Sequence, residues 1–214
     1  MNLITTRTGP VALPPLERLV LHPNDLPGFR CIYADAQDDT NEAVARRAAN
    51  PERTLRRLQQ WGRLDGYAVR YVPAQAPADP SVPIVVDSSA ARFSRGAGAL
   101  QALTDESLQP DAPRTTKLYP RNIADDTSCI SQLFEEDGAT FVLYRVDFRA
   151  GNVLGSVGVV WRRPYGTPLE ALRLAQRQAE RIRAALTTAE ARAAGTIMAA
   201  RAALVPERVG VLSG

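Results

Sequence analysis

Residues 141–163 read FVLYRVDFRAGNVLGSVGVVWRR, and this stretch decides the fold. Val142, Tyr144, Val146 and Phe148 alternate with Leu143, Arg145, Asp147 and Arg149. That period of two places successive side chains on opposite faces of a strand. Ala150-Gly151-Asn152 supplies a tight turn, and Val153, Val157, Val159 and Trp161 alternate on the return against Ser156 and Arg162. Two such arms joined by so short a link must pair antiparallel. Residues 129–134 read as the strand leading in, with a turn at Glu136-Asp137-Gly138.

On the C-terminal side of this hairpin, Thr167-Pro168-Leu169-Glu170 has the sequence of a capping box with proline at the first helical position. The helix it opens strings Leu172, Ala175, Ala179, Ile182 and Leu186 along one stripe, so it is expected to lie across the sheet. Residues 189–204 continue it or form a second helix.

On the N-terminal side, residues 66–72 alternate like a strand, with Tyr67, Val69 and Tyr71 on one face. Residues 84–93 read as another strand and 96–103 as a short helix. Earlier still, residues 41–49 read as helical, and Asn50-Pro51 starts a further helix with Leu55, Leu58 and Trp61 on one side. A turn at residues 25–29 delivers a short strand over 30–33, while 73–83 and 109–113 read as loops. The resulting class is α+β: an antiparallel sheet with N-terminal helices and a long C-terminal amphipathic helix packed on it. The expected organisation is a lead-in over 1–23, one domain over 24–188, and a helical extension and tail over 189–214. A chain of 214 residues suits a single core.

The chemistry is bounded as much by what is missing. His22 is the sole histidine, so no site needing two histidines can form, and no metal or cofactor is expected. Asp35, Asp38 and Asp39 resemble the start of a calcium loop. However, Thr40 and Arg46 stand where glycine and glutamate are needed, so these acids read as turn residues. No run of apolar residues is long enough for a membrane span, and no signal peptide is read at the start. Cys31 and Cys129 leave two alternatives open, a disulfide or two separate thiols.

The net charge is +3, and 25 of the 26 basic residues are arginine, Lys117 being the exception. So small a surplus does not point to nucleic acid. Arg53, Arg56 and Arg57 can share a helical face and form the candidate anion site. Trp61, Tyr67, Tyr71, Tyr144, Phe148 and Trp161 are the candidate lining of a pocket between sheet and helix, core packing being the alternative for each.

Asp25-Leu26-Pro27-Gly28-Phe29, then Gly62-Arg63-Leu64-Asp65-Gly66-Tyr67, then Gly96-Ala97-Gly98-Ala99 precede the run from Tyr144 to Val153 and an alanine-rich final helix. This order resembles a diffuse group of uncharacterised bacterial envelope proteins and lipoproteins. They resemble in architecture PsbP-like domains and the extracellular sensor domains of some bacterial Ser/Thr kinases. The resemblance implies an exported location and a binding or accessory role, not catalysis; it carries no functional residues. The chain departs from that group in lacking a signal peptide and a lipobox cysteine. The expected function is therefore a non-catalytic envelope domain that binds a small apolar or amphipathic ligand or a partner protein. The alternative is an accessory or structural subunit of a larger assembly.

Overall fold

In the computed structural model the described residues are 13–35, 40–105 and 114–203. Asp38, Asp39, the loop over 109–113 and the tail beyond 203 lie outside them. Among the described residues there are seven strands: β1 (Phe29–Asp35), β2 (Arg63–Pro73), β3 (Val85–Phe93), β4 (Thr115–Leu118), β5 (Asp126–Glu136), β6 (Ala139–Ala150) and β7 (Val153–Arg162). They form one sheet in the order β1-β2-β3-β7-β6-β5-β4, and every neighbouring pair is antiparallel. Helices α1 (Asn41–Arg46) and α2 (Pro51–Gln60) lie between β1 and β2. Helix α3 (Gly96–Thr104) follows β3, and α4 (Pro168–Ala203) closes the chain. The α+β class with an antiparallel sheet and a long final helix is thus the one expected from the 141–163 stretch.

Local chemistry starts the helices where the sequence places them. The Asn50 side chain accepts a hydrogen bond from the Arg53 N–H at 3.1 Å, capping α2, and Thr40 does the same for Ala43 at the start of α1. Helix α4 begins at Pro168 and runs unbroken, so residues 189–203 extend it and form no separate helix. Glu170 is held by Arg173 through hydrogen bonds of 2.6 and 2.9 Å, an i,i+3 pair on the helix surface.

Cross-strand register shows how the core is made. Tyr71, Val86, Val159 and Tyr144 are partners across four strands, and Tyr67, Ala90, Gly155 and Phe148 form a parallel row. Helix α4 covers this face with Ala171, Leu174, Ala175, Ala179 and Ile182, all fully buried. Burial of a side chain the size of Leu174 or Ile182 contributes about 1.5–3 kcal/mol. The opposite face carries a smaller cluster, in which Ala99 and Ala102 of α3 meet Ala91, Phe93, Leu154 and Trp61. Gly98 permits that contact: a β-carbon there would overlap the Trp61 carbonyl oxygen.

The segment before β1 packs into the main core. Leu16, Leu19, Val20, Leu21 and Leu26 are buried there through two 3₁₀ turns, Leu16–Arg18 and Pro23–Asp25. Polar groups fix it from both sides. The Tyr71 hydroxyl donates to the Leu21 carbonyl at 2.8 Å, and the Leu21 N–H donates to Ser88 Oγ at 3.0 Å. Ser88 donates to Gln178 Oε1 on α4, whose Nε2 donates to the Ser89 carbonyl. Asp25, 7% exposed, accepts from the His22 N–H and from Arg181, which also donates to the Val20 carbonyl. His22 is half-buried beside it. Among the described residues no helix is long and apolar enough to cross a membrane.

Candidate functional site

Beside the first turns of α4 a cavity of about 410 Å³ opens to solvent. Trp161 of β7 and Val86 of β3 form its sheet side, Thr167, Glu170 and Leu174 its helix side. The 3₁₀ segment and start of β1 add Leu26 and Phe29, and the loop before β3 adds Ser81, Val82 and Pro83. The lining is apolar apart from Ser81, Thr167 and Glu170. A few polar groups around an apolar cleft of several hundred Å³ is the usual composition of a small-ligand site.

Trp161 is fixed in this cavity from three directions. Its indole N–H donates to the Ser81 carbonyl at 3.2 Å, which ties the 81–83 loop to the sheet. Tyr144 meets the indole edge-on, with ring centroids 5.8 Å apart. Gly166 lies over the ring at a φ of +96°, and any side chain at that position would strike the indole. The wall made by Leu26 is held through its neighbour: Asp25 Oδ2 is 2.8 Å from Arg181, and Oδ1 is 3.8 Å from Arg177. Burial pushes the Asp25 carboxyl up. The His22 N–H and the Arg181 and Arg177 guanidinium groups outweigh it and hold the carboxyl below its ordinary range.

The six aromatic candidates separate into three groups. Trp161 lines the cavity, with Tyr144 immediately behind it. Tyr71 and Phe148 are buried on the same sheet face as core residues; burial, then Cys31, Asp25 and Tyr67, push the Tyr71 phenol up to about 12. Tyr67 lines a different cavity at the far end of β2, and Trp61 packs on the opposite face of the sheet. Of the arginines, Arg53 and Arg56 are exposed on α2, whereas Arg57 is bound by Asp105.

The disulfide alternative does not hold. Cys31 is on edge strand β1 and Cys129 on β5, five strand positions away, and both are free thiols. At about 4.8 Å per strand they lie roughly 24 Å apart, far beyond the reach of a disulfide. Burial, then the charge of Asp147, pushes the Cys129 thiol up to about 11, so it is inert at neutral pH. Among the described residues no three of His, Cys, Asp and Glu are grouped to hold a metal ion.

Sequence reasoning missed Leu26, Phe29, Val82, Pro83, Val86 and Leu174 as cavity residues. Their assembly from four separate segments leaves no local pattern. The one local signal was Gly166 directly before the capping box.

No family model matches the sequence, and no curated protein matches it. Among solved structures, the fold is similar to the crystal structure of the extracellular domain of PknH from Mycobacterium tuberculosis. That likeness has a TM-score of 0.45 and 10% sequence identity, and covers 78% of this chain and 94% of that chain.

Proposed function

We propose that this protein is a non-catalytic binding domain that takes a small apolar or amphipathic ligand in the cleft between the sheet and the start of α4. One observation carries the reading: a cavity of about 410 Å³ whose apolar walls surround a fixed tryptophan. The cleft is preformed. Trp161 is immobilised by Ser81, Tyr144 and Gly166, and the Leu26 wall by the Asp25–Arg181 pair, so little ordering accompanies binding. Thr167 and Glu170 at the helix end offer the polar contacts that would orient an amphipathic molecule. The single histidine of the chain lies outside the cleft, which leaves a nucleophile–histidine mechanism without its base there.

The test is a fluorescence titration with N-phenylnaphthylamine, an apolar dye that brightens when it leaves water. Saturable brightening, lost in a Val82→Trp variant that fills the cleft, is the expected result. No saturable brightening in the folded protein, or brightening that Val82→Trp leaves unchanged, would overturn the proposal.

A second reading, docking on a larger assembly, draws support from the length of α4. Past the buried Ala189, Glu190, Ala191, Arg192 and Ala194 are exposed on the helix. A chain that stays monomeric and co-purifies with nothing in light-scattering chromatography would remove this reading.

A further inference from the structure

We infer that a second cavity, at the other end of β3 from the cleft, binds a small organic ammonium ion. Val86 lines the cleft and Arg92 the second cavity, six residues or roughly 20 Å along one strand. This cavity measures about 620 Å³ and lies between the first 3₁₀ turn, the start of α1 and the start of β2. Pro15, Leu16 and Tyr67 are among its lining residues, with Leu64 at 59% exposure. An outward leucine of that exposure beside a cavity is the kind of apolar surface a ligand can cover.

The charges set the ligand class. Arg92 is the only cation of the lining, and it is already bound by Asp65 through two hydrogen bonds. Glu17 and Glu42 line the same cavity and have no ion-pair partner among the described residues. Once the Arg92–Asp65 pair is set aside, two carboxylates face a space with an aromatic ring and alkyl surface. Carboxylates attract a cation over the short distances of a concave site, and an aromatic ring and alkyl groups accept its hydrocarbon shell. An inorganic ion would use the charges and leave the apolar surface idle; a neutral ligand would do the reverse. The walls are also held in place. Asn41 of α1 donates to the Arg63 carbonyl and accepts from the Arg63 guanidinium, both at 3.0 Å, which fastens α1 to β2.

Calorimetric titration at low ionic strength tests the inference, with choline as the probe and its uncharged carbon isostere as the control. Choline is expected to bind, and the isostere to bind at least about tenfold more weakly. The Glu17→Gln/Glu42→Gln variant changes two exposed side chains and should melt like the parent, while choline affinity falls about tenfold. Tyr67→Leu should weaken choline as well. Equal affinity for choline and its isostere, unchanged affinity in the double variant, or no choline binding at about 10 mM each overturn the inference. N-phenylnaphthylamine titration of the same double variant should match the parent, so failure here and failure of the cleft reading are told apart.

Discussion

Replacing Gln178 by leucine should loosen the attachment of α4 to the sheet, and the size of the effect can be worked from the hydrogen bonds it removes. The side chain is completely buried between α4 and β3. Its Oε1 accepts from the Ser88 hydroxyl at 3.0 Å and its Nε2 donates to the Ser89 carbonyl at 2.9 Å. Each bond has a net worth of about 1 kcal/mol, and the Ser88 hydroxyl left without an acceptor costs a further 1–3 kcal/mol or so. Leucine recovers part of this through its apolar surface, so the expected loss is about 2–4 kcal/mol. In a chain of this length that corresponds to a fall in Tm of roughly 5–12 °C. Urea denaturation should show a lower midpoint with an unchanged slope. Ser88→Ala breaks the same Ser88–Gln178 bond, so the two single losses should exceed that of the double variant by about 1 kcal/mol. A Gln178→Leu protein within about 0.5 kcal/mol of the parent, or strictly additive losses, would refute the reasoning.

Three other perturbations probe separate parts of the structure. Gly98→Ala places a methyl group on the Trp61 carbonyl oxygen, a backbone atom that cannot move aside, and should cost at least about 3 kcal/mol in the same denaturation assay. Asp25→Asn should lower Tm at neutral pH. Because the folded Asp25 carboxyl is held below its ordinary range, its contribution is complete above the unfolded pKa of about 4 and is lost as pH falls through the folded value. The gap between parent and variant should therefore narrow as pH falls below about 4; a gap that stays constant down to about pH 2 would contradict the pairing. Alkylation without reduction should label exposed Cys31 in the folded protein and reach Cys129 only on unfolding, as read by intact mass.

What the sequence revealed follows from where the ordering forces are local. The β6–β7 hairpin and α4 were legible because alternation of period two and a proline-bearing helix start are written into consecutive residues. The same alternation put Tyr67, Tyr71, Tyr144 and Phe148 on their correct shared faces. Strand β4, Thr115–Leu118, was not read, since four residues at a sheet edge carry no usable period. Residues 16–23, read as part of the 1–23 lead-in, carry apolar side chains on 3₁₀ turns, which have no long periodicity. Their burial depends on Ser88, Tyr71 and Arg181, each far away in sequence. The cleft was half legible. Its tryptophan was named, but its walls come from residues 26–29, 81–86 and 166–174, and only the closed tertiary structure brings those together.

The central claim is that the cleft at the start of α4 is a ligand site, and methyl-labelled NMR tests it most directly. With N-phenylnaphthylamine bound, the account predicts nuclear Overhauser contacts from the dye to the methyls of Leu26, Val82, Val86 and Leu174 and to the Trp161 indole. Dye contacts confined to other surfaces, or a dye that leaves all five unperturbed at saturating concentration, would contradict it.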